Sequence, residues 1–125
     1  MTVELKGEAK DAQGTRAGFY ILGPNSVNGR SHWLQDSGTN AIWYHKKNGK
    51  WKIGKQDDIG SSTAGILTSE DVAGPQEATT WKYHSGDEFI VSDDILVDTF
   101  KPGMYINRMR IIWVFLKTEK YFDLP

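Results

Sequence analysis

Apolar residues along this chain occur in short runs, and within most runs they alternate with polar residues. Pairs that favour turns, such as Asn-Gly, Pro-Asn and Ser-Gly, separate the runs. Runs of this length that are rich in β-branched and aromatic residues predict strands. The predicted strands are Thr2–Leu5, Gly18–Leu22, Ser31–Gln35, Ala41–Lys46, Lys50–Ile53, Gly65–Thr68, Thr80–His84, Glu88–Val91 and Met104–Leu116, the last long enough to bend or to form two strands. Their spacing favours an all-β fold, a single small antiparallel barrel or sandwich with little helix.

Helix signals are weak, and they are confined to two short segments. Residues 69 to 74 (SEDVAG) fit a single helical turn that Ser69 would cap. Residues 92 to 100 (SDDILVDTF) fit either a short helix capped by Ser92 or a further strand. The sequence leaves both choices for this second segment open.

The segment Ile42–Gly54 (IWYHKKNGKWKIG) predicts a β-hairpin, because Asn48-Gly49 suits the positive φ angles of a two-residue turn. That turn would place Tyr44 opposite Ile53. One face of the hairpin is then apolar and carries Ile42, Tyr44, Trp51 and Ile53. The other face is aromatic and basic and carries Trp43, His45, Lys47, Lys50 and Lys52.

A second register of the same hairpin is the alternative. A three-residue loop with a glycine bulge would bring Trp43 beside Trp51 and Ile53. The two-residue turn is preferred because it keeps lysines off the apolar face except at its edge. A further Asn-Gly pair, in Asn28-Gly29-Arg30, also predicts a turn.

The order of several short motifs resembles a β-rich repeat of large multidomain proteins. In this chain the motifs are VNGR at 27–30, the hairpin ending WKIG at 51–54, GSS at 60–62, Pro75 and WKYHSG at 81–86. The match covers roughly residues 17 to 95 and leaves residues 101 to 125 outside. The resemblance implies a β-rich framework with no assigned chemistry. It also implies a further alternative, a purely structural unit of a larger assembly.

Composition limits the classes of function. The chain has 125 residues, enough for one domain, 1–125, that buries a core without metals or disulfides. It has no cysteine, which excludes thiolate nucleophiles and Cys-based zinc sites. A net charge of −1 makes no case for nucleic acid. The N-terminus lacks the apolar core of a signal peptide and no apolar run could span a membrane, so we expect a cytoplasmic protein.

The sequence carries no motif for catalysis or for a bound metal. The three histidines lack the spacing of zinc sites. Carboxylates cluster in pairs such as Asp57-Asp58 and Asp87-Glu88, without the alternating spacing of a calcium loop. We therefore expect no metal, no cofactor and no catalytic residue. A small hydrolase that uses Asp57, Asp58 or Asp87 is kept as an alternative.

The predicted function is a non-catalytic interaction module for a protein partner or an acidic ligand. Its surface would be the aromatic, basic face of the hairpin with the nearby segment SHWLQD at 31–36. Trp43 and Trp33 would stack on a ring or a proline. The residues that would pair with acidic or hydroxyl groups are His45, Lys47, Lys50, Lys52 and Arg30. A carbohydrate-binding module is the first alternative.

The segment Ile111–Leu116 is apolar at every position. That pattern suits a central strand, or an edge strand that seeks a partner. If this strand is exposed, it predicts a homodimer. Residues 101–125 are therefore expected to be either a closing strand or a C-terminal extension.

Overall fold

The computed structural model describes residues 1–47 and 49–99, together with strands at 104–107, 110–115 and 120–123. These residues form a small all-β fold with one short α-helix. Nine strands form one antiparallel sheet: β1 Thr2–Leu5, β2 Gly18–Leu22, β3 Trp33–Gln35, β4 Asn40–Tyr44, β5 Trp51–Lys55, β6 Ile66–Thr68, β7 Trp81–His84, β8 Phe89–Ser92 and β9 Ile95–Asp98. From β1 to β8, strands that are consecutive in sequence pair as a meander, and β9 pairs with β1.

The two edges of this sheet approach each other, because β8 and β9 act as one bent strand. All pairings are antiparallel, so β8 and β9 run in the same direction, and Asp93 and Asp94 connect them. The chain leaves β7 at Ser92 and pairs with β1 from Ile95 onward. The sheet is thereby closed almost completely into a barrel.

The core fills the barrel with side chains from alternate strand positions. Its most deeply buried members include Val3, Tyr20, Ile42, Trp51, Ile53, Ile66, Trp81, Tyr83 and Val97. Helix α1 (Gly7–Gln13) adds Ala9 to this core and packs against β1 and β7. The Gln13 side chain donates to the His84 carbonyl at 2.8 Å, which ties the helix to β7.

The all-β prediction is confirmed, and the barrel is the form that the sheet takes. The eight predicted strands before residue 92 are all present, with small shifts at their ends. The predicted strand Met104–Leu116 forms two strands, β10 (Met104–Asn107) and β11 (Arg110–Phe115). Within the segment 92–100, the described residues 92–99 contain β9 and not a helix.

The helical segments differ from the prediction. Residues 69–74 form no helical turn, and the connection between β6 and β7 instead has a 3-10 turn at Pro75–Glu77. Two other 3-10 turns lie at Gly14–Arg16 and Gln56–Asp58. Helix α1 was not predicted, because its short polar sequence GEAKDAQ buries a single residue and shows no helical periodicity.

The hairpin β4–β5 has a register two residues away from the predicted one. Tyr44 lies opposite Trp51, and the His45 N–H donates to the Lys50 carbonyl at 2.6 Å. The predicted two-residue turn is therefore wrong, and so is the bulged alternative. The Lys50 N–H donates to the Thr68 carbonyl at 2.6 Å, so β6 helps to fix this strand end. For the residues that lie in the two strands the face assignment is confirmed, since a shift of two residues leaves side chains on their original faces.

Strands β10, β11 and β12 (Lys120–Asp123) pair with one another in a separate three-stranded sheet, with β11 in the centre. The predicted burial of Ile111–Leu116, and a dimer formed through it, lie outside the described residues. Across the part of the chain that the structure describes, no helix is long and apolar enough to cross a membrane.

Candidate functional site

One end of the barrel concentrates aromatic side chains. Here β4 ends with Tyr44, β5 begins with Trp51 and β3 begins with Trp33. All three belong to the core cluster or pack against it. The connection 69–80 between β6 and β7 lies at this end, and its turn Pro75–Glu77 contacts β9. This connection therefore extends across the mouth of the barrel.

An open cavity of about 420 Å³ lies between the connection and the strand ends. We call it the mouth pocket; its less polar lining residues are Trp33, Trp51, Ala73 and Gly74. Its polar lining residues are Arg30, Ser31, Gln76 and Glu77. Small-molecule sites typically have volumes of about 300 to 1,000 Å³ and combine an aromatic lining with a few polar groups. The mouth pocket has both properties.

A tight turn positions Arg30 at the pocket. Asn28 and Gly29 have φ angles of 52° and 82°, and Val27 and Arg30 exchange backbone hydrogen bonds of 2.8 and 3.2 Å. Positive φ at both central residues defines the type I′ turn that Asn-Gly favours. The Asn28 side chain also donates to the Tyr44 carbonyl at 2.8 Å, which fastens the turn to β4. The turn predicted at Asn28-Gly29-Arg30 is confirmed.

The guanidinium of Arg30 stacks on Tyr44, with 3.9 Å between Cζ and the ring centroid. Its Nη1 donates to the Val72 carbonyl at 2.7 Å, and its Nη2 lies 3.5 Å from the Asp71 carboxylate. The Arg30 side chain is still 32% exposed. The cation is therefore held in one orientation while part of it stays accessible from the pocket.

Two further hydrogen bonds attach the connection to the barrel. The Tyr44 hydroxyl donates to Asp71 Oδ1 at 2.8 Å, and Trp51 Nε1 donates to the Val72 carbonyl at 2.8 Å. The hydrogen bond to Asp71, followed by burial, raises the pKa of Tyr44, so its hydroxyl stays a donor at neutral pH. Because the Trp51 nitrogen is used internally, Trp51 can offer the pocket its ring alone.

Trp33 supplies the accessible aromatic surface of the pocket. Its ring centroid lies 6.0 Å from that of Trp51, with an angle of 51° between the ring planes. Trp51 is 1% exposed, whereas Trp33 is half-buried. The indole N–H groups of Trp43 and Trp51 each donate to a backbone carbonyl, whereas among the described residues that of Trp33 has no such bond. Trp33 can therefore present both a ring face and an N–H donor to a ligand.

Glu70 fastens the connection from its other side. Its carboxylate accepts hydrogen bonds from the N–H groups of Thr80 at 2.6 Å and Thr79 at 2.7 Å, and from the Thr79 hydroxyl at 2.9 Å. These bonds, with that from the Thr80 N–H foremost, lower the pKa of Glu70. The two ends of the connection are thereby tied together. This distant pairing explains why residues 69–74 do not form the helical turn predicted from local sequence.

The outer face of the hairpin is not the exposed aromatic surface that the sequence predicted. Trp43 is 0% exposed, and its Nε1 donates to the Ser61 carbonyl at 3.1 Å. The ring lies so close to Gly54 that a Cβ at this glycine would lie 3.0 Å from Trp43 Cη2. The prediction that Trp43 is exposed for stacking is therefore wrong. Alternation along a strand shows the face of a side chain but not the loop that covers it.

The basic residues of the hairpin form a second cluster. Lys52 is 1% exposed, His45 and Lys50 are half-buried, and Lys47 is exposed. Burial first, and then the charges of Lys52, Lys47 and Lys50, lower the pKa of His45. Lys52 lies on the hairpin face opposite Trp51, and the other three residues lie in the connection between β4 and β5. The structure therefore brings Arg30 and Trp33 together in the mouth pocket and separates them from the rest of the predicted set.

Sequence reasoning missed part of the pocket lining. Trp51 was assigned to the core, and it forms both core and pocket wall. Gln76 and Glu77 reach the pocket because the connection crosses the barrel mouth, which depends on long-range contacts. The Gly-Pro pair before Gln76 signals a turn but not its direction. The carboxylates of the hydrolase alternative, Asp57, Asp58 and Asp87, are not among the lining residues.

Within the described ranges, no three His, Asp or Glu side chains lie close enough together to hold a metal ion. Comparison of the chain with protein-family models, with curated proteins and with solved structures gives no match. A function for this small antiparallel barrel has to be argued from its own pocket and surface.

Proposed function

We propose that this protein is a non-catalytic binding module whose mouth pocket takes a neutral, hydroxylated ring compound such as a saccharide. One observation carries the proposal: two tryptophans and several hydrogen-bonding side chains line one cavity of about 420 Å³. A carbohydrate-binding module was the first alternative predicted from the sequence. The site proposed for it is now the barrel mouth and not the hairpin.

The charges around the pocket favour a neutral ligand. Arg30 and Glu77 bring one positive and one negative side chain to the lining. Asp71 lies 3.5 Å from Arg30 and offsets its charge further. A strongly charged ligand would meet attraction and repulsion together and gain little net Coulomb energy. A neutral ligand avoids this conflict.

The polar lining residues suit a ring that carries hydroxyl groups. A sugar ring has an apolar C–H face that can pack on the half-buried indole of Trp33. Its hydroxyls can both donate and accept, which matches the amide of Gln76 and the hydroxyl of Ser31. Arg30 and Glu77 add a donor and an acceptor at the same cavity. The lining therefore offers both donors and acceptors to ring hydroxyls.

The site is also pre-organised. Arg30 is held by Tyr44, Val72 and Asp71 before any ligand arrives. Trp51 is fixed by its hydrogen bond to the Val72 carbonyl. Binding then costs little loss of side-chain freedom, which favours useful affinity from a small contact area.

The test is a titration of pooled neutral glycans, followed by the five indole N–H signals in a nitrogen–proton NMR spectrum. We expect a saturable shift at Trp33 and a smaller one at Trp51. The change Trp33→Ala should weaken binding by at least about tenfold, since it removes a stacking surface worth about 1.4 kcal/mol or more. Val91→Ala is the control, because Val91 is an exposed aliphatic residue of β8 that lies outside the lining.

Other ligands and outcomes separate the competing functions. Proline-rich peptides form a second arm, since a proline ring also packs on an indole. A Trp33 shift with peptides and none with glycans would replace the saccharide by a protein partner. Glycan cleavage during the titration would favour the hydrolase alternative. If no pool shifts the indole N–H signal of Trp33, the proposal that the mouth pocket binds a ligand is refuted.

We also propose a cytoplasmic location for the protein. The support for this proposal is that the chain has no cysteine and so cannot form the disulfides that are common in proteins of oxidising compartments. Fractionation of cells that express the chain tests it directly. Recovery from a secreted or membrane fraction would contradict it.

A further inference from the structure

The tip of the β4–β5 hairpin contains a lysine side chain that is almost entirely buried. Lys52 is 1% exposed, between its cross-strand partners Trp43 and Leu67. Its Nζ lies directly beside the hairpin loop, since a Cβ at Gly49 would be 3.1 Å from it. The long side chain thus runs along the outer face of the sheet and ends under the loop.

No carboxylate balances this charge among the described residues. Across residues 1–47 and 49–99, the one ion pair is that of Arg30 with Asp71, on the pocket side of the hairpin. Burial lowers the pKa of Lys52, and no nearby acid raises it. A largely buried lysine with no acidic partner loses part of the hydration of its charge, and a bound anion would compensate for that loss.

Three more basic side chains surround the same loop. The charges of Lys52, Lys47 and Lys50 all act on His45, and no carboxylate opposes them. The Lys50 ammonium donates to the Lys46 carbonyl at 2.8 Å, which holds it at the loop. His45 Nδ1 accepts from the Lys47 N–H at 3.3 Å, so its Nε2 can carry a donor hydrogen. The hairpin tip therefore carries several basic groups that can donate hydrogen bonds.

The solubility of a sheet edge does not explain this arrangement. Exposed lysines such as Lys47 keep a hairpin tip soluble and discourage edge pairing. Lys52 is buried and β5 is an inner strand, so it has neither effect. Mutual repulsion and burial both disfavour the cluster, whereas a bound anion would offset both.

We propose that the hairpin tip binds a phosphate or sulfate group, with Lys52 beneath the anion and Lys47, Lys50 and His45 around it. This site is separate from the mouth pocket and lies on the opposite face of the hairpin. The acidic ligand predicted from the sequence would then be a compound that carries a phosphate or sulfate group. Whether the group is a free ion, an ester on a sugar or a lipid headgroup is decided by the ligand arms of the test.

The test titrates inorganic phosphate, sulfate, glucose 6-phosphate and inositol 1,4,5-trisphosphate at constant ionic strength, with chloride as the reference anion. Backbone amide signals of Gly49 and Lys50 report on binding. We expect a saturable shift that weakens as salt rises. The arm with the highest affinity identifies the source of the group. Signals that move equally with chloride would overturn the proposal.

Variants localise the site. Lys52→Met keeps the apolar stem and removes the charge, and should weaken binding by roughly tenfold or more. Lys47→Gln, at an exposed position, should weaken it about twofold to fivefold and does not threaten the fold. Lys55→Gln, further along β5, is the matched control and should leave affinity unchanged. Unchanged affinity in both cluster variants would refute the proposal.

Thermal stability gives an independent readout. If Lys52 serves to bind an anion, Lys52→Met should raise the Tm in anion-free buffer. It should also abolish the rise in Tm that phosphate gives to the parent chain. A lowered Tm, with the phosphate effect retained, would mean that Lys52 is a structural residue. Trp33→Ala should leave phosphate binding unchanged, so failure of the saccharide proposal and failure of this one are distinguishable.

Discussion

Two tryptophans show how far the exposure of a single residue can be predicted from its position in a strand. Trp33 and Trp43 were both assigned to a stacking surface, yet Trp33 lines a pocket and Trp43 is covered. Strand alternation fixes the face on which each side chain lies. Whether that face is open depends on loops from elsewhere, such as the segment around Ser61 that accepts the hydrogen bond of Trp43. Residue exposure was therefore the least predictable part of the site.

Glu70 allows a prediction at the residue scale. Glu70→Gln keeps the shape of the side chain but removes the charge that accepts hydrogen bonds from Thr79 and Thr80. We expect a loss of unfolding free energy on the order of 1 kcal/mol at neutral pH, a modest value because solvent reaches the carboxylate. Chemical denaturation measures it. Glu88→Gln, at an exposed carboxylate in the turn between β7 and β8, should cost little.

The stability that Glu70 contributes should depend on pH. The folded pKa of Glu70 lies below its ordinary value of 4.5. Its contribution is therefore present above about pH 4.5 and is lost as pH falls through the folded pKa. The difference in stability between the parent chain and Glu70→Gln should shrink over that acidic range. A constant difference down to pH 2.5 would contradict the role given to this carboxylate.

At the scale of elements, the two Asn-Gly pairs behaved differently. Asn28-Gly29 forms the tight turn, whereas the hairpin at Asn48-Gly49 has a longer connection. Strand positions followed from local alternation and turn residues, so most of them were predictable. The hairpin register was not, because the hydrogen bond of Lys50 to Thr68 in β6 takes part in setting it. Local rules cannot include a neighbouring strand.

The Asn28-Gly29 turn allows a prediction at this scale. Gly29 has a φ of +82° with nothing within 4 Å of an added Cβ, so Gly29→Ala strains the backbone without a clash. We expect a stability loss of about 1 kcal/mol. Because the turn positions Arg30, saccharide binding at the mouth pocket should weaken several-fold. Isothermal titration with a ligand found for the parent chain measures this.

Gly86 provides the matched control for that change. It also has a positive φ, +113°, and open space around it, but it lies in the turn between β7 and β8. Gly86→Ala should cost a similar amount of stability and leave binding unchanged. Equal loss of binding in both variants would mean that the turn acts through general stability and not through Arg30.

At the scale of the whole molecule, the barrel is complete at Asp98. β9 ends there, already paired with β1, and the later strands pair among themselves. The sequence predicted a barrel or a sandwich because alternation and turn spacing are common to both. It could not choose between them, since closure depends on the bend at Asp93 and Asp94 that moves the chain from β7 to β1.

A shortened chain of residues 1–99 tests this completeness. We expect it to fold with the Tm of the full chain within a few degrees, because β1 is already paired with both β2 and β9 before residue 99. Circular dichroism and sedimentation measure folding and association. An unfolded or aggregated product would show that the tail supplies a central strand or cover to the barrel, as one sequence-based prediction held.

Thr2 and Asp98 are register partners, so β1 obtains its second neighbour from the far end of the barrel sequence. The ribosome adds about 5 to 20 residues per second, so several seconds pass between the synthesis of β1 and that of β9. Throughout that interval Val3 and Leu5 lie on an open strand edge that another chain could pair with. The nascent protein therefore passes its period of greatest aggregation risk just before the final barrel strand emerges, and chaperone contact would be most useful then.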